Sequence, residues 1–142
     1  MDDFIKHKII WKRIGSMLKF SYDESNCIGL DSTCIATGNG VKFLSAILNT
    51  TMGNYLLKES PKTGTGDLIV SVQAINPVRI PTLTEAEQKP FNILLDKIIC
   101  CQKTGIDYSQ YENQLENLTF ALFDIDCQER KFIENITAML FR

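Results

Sequence analysis

The hydrophobic pattern of this 142-residue chain divides near Pro81, with short strands around one helix before it and helices alone after it, and no other sequence feature constrains its fold as strongly. Upstream, apolar residues come in short β-branched or aromatic runs broken by glycine and polar pairs, the pattern of strands joined by turns. Ile9-Ile-Trp-Lys-Arg-Ile14 is one such run. Residues 27–30 and 33–37 are two more, separated by the turn-forming pair Asp31-Ser32. Gly38-Asn39-Gly40 then punctuates the chain. Over residues 41–57, Leu44, Ile47, Leu48, Met52, Tyr55 and Leu56 recur at three- and four-residue spacing, which predicts one amphipathic helix. Residues 58–67 read as a polar loop around Pro61 and Gly64-Thr-Gly66, and residues 67–72 as a strand. Residues 78–80 read as a short extended piece between Pro77 and Pro81.

Downstream the period is helical. Thr84-Glu-Ala-Glu87 is a capping box, in which threonine and glutamate side chains satisfy free backbone N–H groups. Phe91, Leu94, Leu95, Ile98 and Ile99 form one stripe behind it, and Pro90 is expected to bend this helix or delay its start. Ser109-Gln-Tyr-Glu112 reads as a second box, ahead of Tyr111, Leu115, Leu118 and Leu122. Asp126-Cys-Gln-Glu129 opens a third helix, with Phe132, Ile133, Ile136, Met139 and Leu140 on its apolar side. Helices this short must pack on one another or on the first half. The expectation is an α+β fold. A small mixed β-sheet domain with one or more packed helices spans residues 1–81, and a three-helix spacer spans residues 82–142. Leu44, Ile47, Leu48, Leu94, Leu95 and Ile98 are assigned to its core.

Composition narrows the function classes. A chain of this length suits one compact body and buries roughly 70% of its unfolded surface. No window approaches the roughly 18 uninterrupted apolar residues of a membrane span. Residues 1–10, MDDFIKHKII, are charged and lack a signal-peptide core, so the expected setting is cytoplasmic, with no membrane partner. The sequons at Asn49, Asn117 and Asn135 are then chance matches. Five cysteines, at 27, 34, 100, 101 and 127, form no C-x-x-C pair, and the one histidine, His7, is remote from them in sequence. Buried reduced thiols fit this pattern better than zinc.

The motifs of catalysis are missing. Acyl transfer needs a nucleophile with a positioned base, and the single imidazole, His7, stands among lysines. Lys62-Thr-Gly-Thr-Gly-Asp67 has the glycines of a phosphate loop without the lysine behind them, and Gly38-Asn-Gly40 supplies two glycines of a dinucleotide fingerprint and stops. Asn76-Pro77-Val78-Arg79 begins like the N-P-P-[YF] motif of amino-methyltransferases but lacks the second proline and the aromatic. No enzymatic activity, cofactor or metal is expected of this chain.

Charge is segregated beneath a net −2. Residues 1–80 carry nine Lys/Arg and seven Asp/Glu, whereas residues 81–142 carry six and ten. Lys6, Lys8, Lys12, Arg13 and Lys19 fall within fourteen residues that contain no acid, a single-sign cluster suited to polyanions. Lysines guarding an exposed edge strand would produce the same pattern.

Read in order, these pieces resemble the target-recognition domain of restriction–modification enzymes, of the TaqI-like C-terminal specificity type related to type I specificity subunits. Lys8-Ile-Ile-Trp-Lys-Arg-Ile14 is similar to that family's opening strand. Phe43-Leu-Ser-Ala-Ile-Leu-Asn49 with Asn54-Tyr-Leu-Leu57 resembles its "LlaiLNS…yyl" helix. Val78-Arg-Ile-Pro81, Glu87-Gln88 and Leu95-Asp-Lys-Ile98 resemble its "iPiP…EQ…lvdkI" exit into the spacer. Tyr111-Glu112, Leu118, Leu122-Phe123 and Glu134 resemble its closing element. The match runs over roughly residues 6–136. Asp124 departs from it, standing where the family commonly has glycine, so a different cap is expected there. The methyltransferase domain that precedes the module in such enzymes is absent from this sequence.

The resemblance implies a reader of double-stranded DNA, a fragment or free-standing subunit serving a methyltransferase or nuclease domain or subunit. Phosphate contacts would come from Lys6, Lys8, Lys12, Arg13 and Lys19, and base contacts from Asn39, Lys62, Thr63 and Thr65 on loops with short polar tips. The alternative is a non-enzymatic protein-interaction domain that works through its C-terminal helices, with the basic N-terminus an edge strand guarded by charge.

Overall fold

The structure is a computed structural model and describes residues 7–12, 14–15, 20–24, 33–38, 40–58, 68–69 and 79–140. Its elements are β1 (Lys8–Lys12), β2 (Ile14–Gly15), β3 (Phe20–Asp23), β4 (Thr33–Thr37), α1 (Val41–Leu48), α2 (Thr51–Leu56), β5 (Leu68–Ile69), α3 (Glu85–Thr104), α4 (Ser109–Leu122) and α5 (Cys127–Leu140). The class is α+β. Every described strand pairing is antiparallel, where a mixed sheet was expected.

Strand β1 lies at the centre of a three-stranded sheet of order β3-β1-β4, and β2 pairs with β5 in a separate ladder. Alternation along β1 turns Ile9 and Trp11 to one face, opposite Tyr22 and Phe20 of β3 and Ala36 and Cys34 of β4. Those residues form a core with Val41, Leu48 and Leu57, in which the Trp11 and Phe20 rings lie 5.7 Å apart. The basic N-terminal strand is therefore not an edge. Strand β3 was not anticipated, since Phe20 and Tyr22 alternate with polar residues over only four positions. Residues 27–30 lie outside the described set, as do most of 58–67 and all of 67–72 except Leu68 and Ile69.

The single helix expected over 41–57 is two. Helix α1 ends at Leu48, and the Asn49 side chain leaves the helical path to serve β3: its Oδ1 accepts from Phe20 N at 2.9 Å and its Nδ2 donates to Phe20 O at 2.7 Å. Thr50 then starts α2, its hydroxyl accepting from Gly53 N at 3.2 Å. Gly53 fits the elbow because a Cβ there would lie 2.3 Å from Ile47 O.

Helix α3 has the expected capping box at Thr84 and Glu87 and runs unbroken through Pro90, so its start is not delayed. The ring removes one i→i−4 bond, to Ala86, on an exposed flank, while Phe91, Leu94, Leu95 and Ile98 hold the other flank in the core. The start of α4 differs from the expected box: Asp107 Oδ1 accepts from Ser109 N and Oγ at 3.2 and 2.7 Å, and Tyr108 occupies the N-cap. Asp126-Cys-Gln-Glu129 opens α5 as expected, with Asp126 Oδ1 accepting from Glu129 N at 2.7 Å.

Helix α1 is apolar on two sides because it lies between two layers. Val41, Leu44 and Leu48 meet the sheet, while Phe43, Ala46 and Ile47 meet α3 and Leu115 of α4. Phe43 and Phe91 make an edge-to-face pair at 5.0 Å. Five of the six residues assigned to the core are buried, and Leu44 is half-buried against it. A third cluster joins Met52 of α2, Phe120 of α4 and Ile133 of α5. The apolar side of α5 is wider than this contact, leaving Phe132 and Met139 58% and 70% exposed. Cys100 and Cys127 are also exposed rather than buried. Among the described residues, no helix is long and apolar enough to cross a membrane.

Candidate nucleic-acid interface

The register of the sheet decides the position of one predicted phosphate contact. Lys8 pairs with Asp23 across β1–β3, and its ammonium lies 2.9 Å from the Asp23 carboxylate with the side chain fully buried. A buried lysine held by a carboxylate cannot reach a phosphate, so Lys8 leaves the phosphate set and becomes a strut of the sheet. Lys12 ends β1, opposite Thr33 of β4. Lys6, Arg13, Lys19, Asn39, Lys62, Thr63 and Thr65 lie outside the described residues.

Beside the Lys8 end of β1 the fold assembles a polar cluster that sequence reading missed. Exposed His7 hydrogen-bonds through Nδ1 to the Tyr22 hydroxyl at 2.9 Å, with the two rings edge to face at 5.9 Å. Lys42 on the first turn of α1 lies over the Tyr22 ring at 5.6 Å and pairs with Asp96 of α3 at 2.7 Å. The Tyr22 hydroxyl is pushed up to about 12 by partial burial first, then by the neighbouring Glu24 carboxylate and, more weakly, Asp96. It stays a phenol at neutral pH, so this cluster offers hydrogen bonds and paired charges. The residues come from four separate stretches, and no spacing in the chain brings them together. Asp96 and Glu24 together outweigh Lys42, so the cluster offers no net positive charge to a polyanion.

The neighbouring sheet edge is occupied at its Phe20 end. The bidentate grip of Asn49 on Phe20 occupies backbone groups of β3 that a further strand would use. Among the described residues, no three histidine, cysteine or acidic side chains converge as a metal site would require. No protein-family model matches the chain, and no curated protein does.

Proposed function

We propose that this chain is a sequence-specific recognition module for double-stranded DNA, part of a cytoplasmic restriction–modification system. In this reading it works beside a methyltransferase or nuclease domain or subunit and catalyses nothing itself. The observation that carries the proposal is the place of β1: it is the central strand, so the positive charge on Lys8–Lys12 does not mark a sheet edge. The order of the resembled stretches supports it as well, since their residues fall in turn on β1, on α1 with α2, ahead of and within α3, and on α4 with α5. Phosphate contacts then fall to Lys6, Lys12, Arg13 and Lys19, and base contacts to Asn39, Lys62, Thr63 and Thr65.

Titrating the purified chain against duplex DNA from about 50 to 200 mM salt tests this. Four phosphate contacts give a log–log slope of roughly −3.5. Replacing Lys12 and Arg13 by glutamate should flatten it by about two, whereas Thr63→Ala with Thr65→Ala should leave the slope and change only discrimination between sequences. Absence of binding, or binding indifferent to Lys12 and Arg13, removes the reading.

A further inference from the structure

A groove of about 470 Å³ opens between α2 and α5, floored by buried Met52 and Ile133 and walled by Tyr55, Ile125 and Phe132. Phe132 and Met139 stand seven residues apart on α5, two helical turns, and both project from the body with half-buried Ile136 between them. A phenylalanine and a methionine exposed beside an apolar groove form the kind of surface that takes the apolar stripe of an incoming helix, read at i, i+3/i+4 and i+7.

Charge selects the occupant. Helices α4 and α5 with their connection carry six carboxylates against two cations. Of those cations, Arg130 is engaged with Glu134, Asn117 and the Phe120 ring, which leaves exposed Lys131 against Asp124, Asp126 and Glu129 at the start of α5. Glu129 and Gln128 form the polar lip of the α5 wall, one turn from exposed Asp124 and Asp126. On the opposite wall the Lys58 ammonium lies 4.3 Å from the centre of the Tyr55 ring. The carboxylates of Asp124, Asp126 and Glu129 at the start of α5 disfavour nucleic acid and anionic lipid there and leave the apolar groove to a positively charged protein segment. We propose that the α2–α5 groove docks a basic amphipathic helix of a partner protein, its apolar face on Phe132, Met139 and Tyr55 and its Lys/Arg flank beside Asp124, Asp126 and Glu129 at the start of α5. This site stands on different residues from the DNA reading and does not depend on it.

Fluorescence anisotropy of the full chain against labelled leucine–lysine heptad peptide tests this. Two controls accompany it: the same leucine pattern carrying glutamate, and the leucine–lysine composition scrambled. The heptad lysine peptide should bind about tenfold more tightly than either control, and Phe132→Ser, Met139→Ser and Gln128→Lys should each weaken it about tenfold. Both serines replace exposed side chains, so the fold is retained. Equal binding of the patterned and scrambled peptides, or binding unmoved by Phe132→Ser and Met139→Ser, overturns the proposal. So does sedimentation showing a dimer that Phe132→Ser dissociates, because a second copy would then own the groove.

Discussion

Asp124 has φ 55°, the one non-glycine residue with positive φ among those described. An L-residue pays for that left-handed conformation through its Cβ, although aspartate tolerates it better than most. The conformation is enforced by the end of α4: Asp124 N donates to Ala121 O at 3.1 Å and Ile125 N to Phe120 O at 3.0 Å. Ile125 and Phe120 also share a hydrophobic cluster. Together these make a Schellman cap, which favours glycine at this position. The departure from the resembled family thus changes the residue and not the geometry a glycine would give. Asp124→Gly should raise stability by about 0.5–1 kcal/mol, seen as a higher urea midpoint with unchanged slope. An unchanged or lower midpoint would show that the aspartate side chain supplies more than its backbone strain costs.

At the scale of elements, the joint between α1 and α2 reverses an ordinary rule. Glycine inside a helix normally costs about 0.5–1 kcal/mol relative to alanine, so Gly→Ala there stabilises. At Gly53 the added Cβ would lie 2.3 Å from Ile47 O and 2.6 Å from Leu48 Cα, both backbone atoms that cannot swing aside. Gly53→Ala should therefore destabilise by about 1–3 kcal/mol, measured by chemical unfolding. A gain would mean that the two helices can part at little cost. The same elbow marks where sequence reading stops. Caps at Thr84 and Asp126 and the stripes of α3 and α4 were legible because they depend on residues a few positions apart. The break at Asn49 was not, because its cause is a hydrogen-bonded partner 29 residues away at Phe20. Lys8 was misread for a similar reason: charge is visible in a sequence, but the Asp23 placed opposite by strand register is not. The His7–Tyr22–Lys42–Asp96 cluster is wholly tertiary and left no local signal.

For the whole molecule, the question is whether sheet and helices fold as one unit. Helix α1 belongs to both layers, meeting the sheet through Val41 and Leu48 and α3 through Phe43, Ala46 and Ile47. A change on its α3 side should thus reach the sheet although Phe43 belongs to the other cluster. Two probes report the two layers separately. Trp11, the single tryptophan, is buried in the sheet core, and far-UV circular dichroism is dominated by the long helices α3, α4 and α5. In the unaltered chain both signals should be lost at one denaturant midpoint, as expected of a small cooperative unit. Phe43→Ala removes the edge-to-face contact with Phe91 and opens a cavity between α1 and α3, at a cost of about 3–5 kcal/mol. If α1 transmits that loss, Trp11 fluorescence and helical dichroism shift to the same lower midpoint. A tryptophan transition that stays put while the helical signal melts early would mean that the boundary near residue 81 divides two independent units, with the α2–α5 groove formed between them.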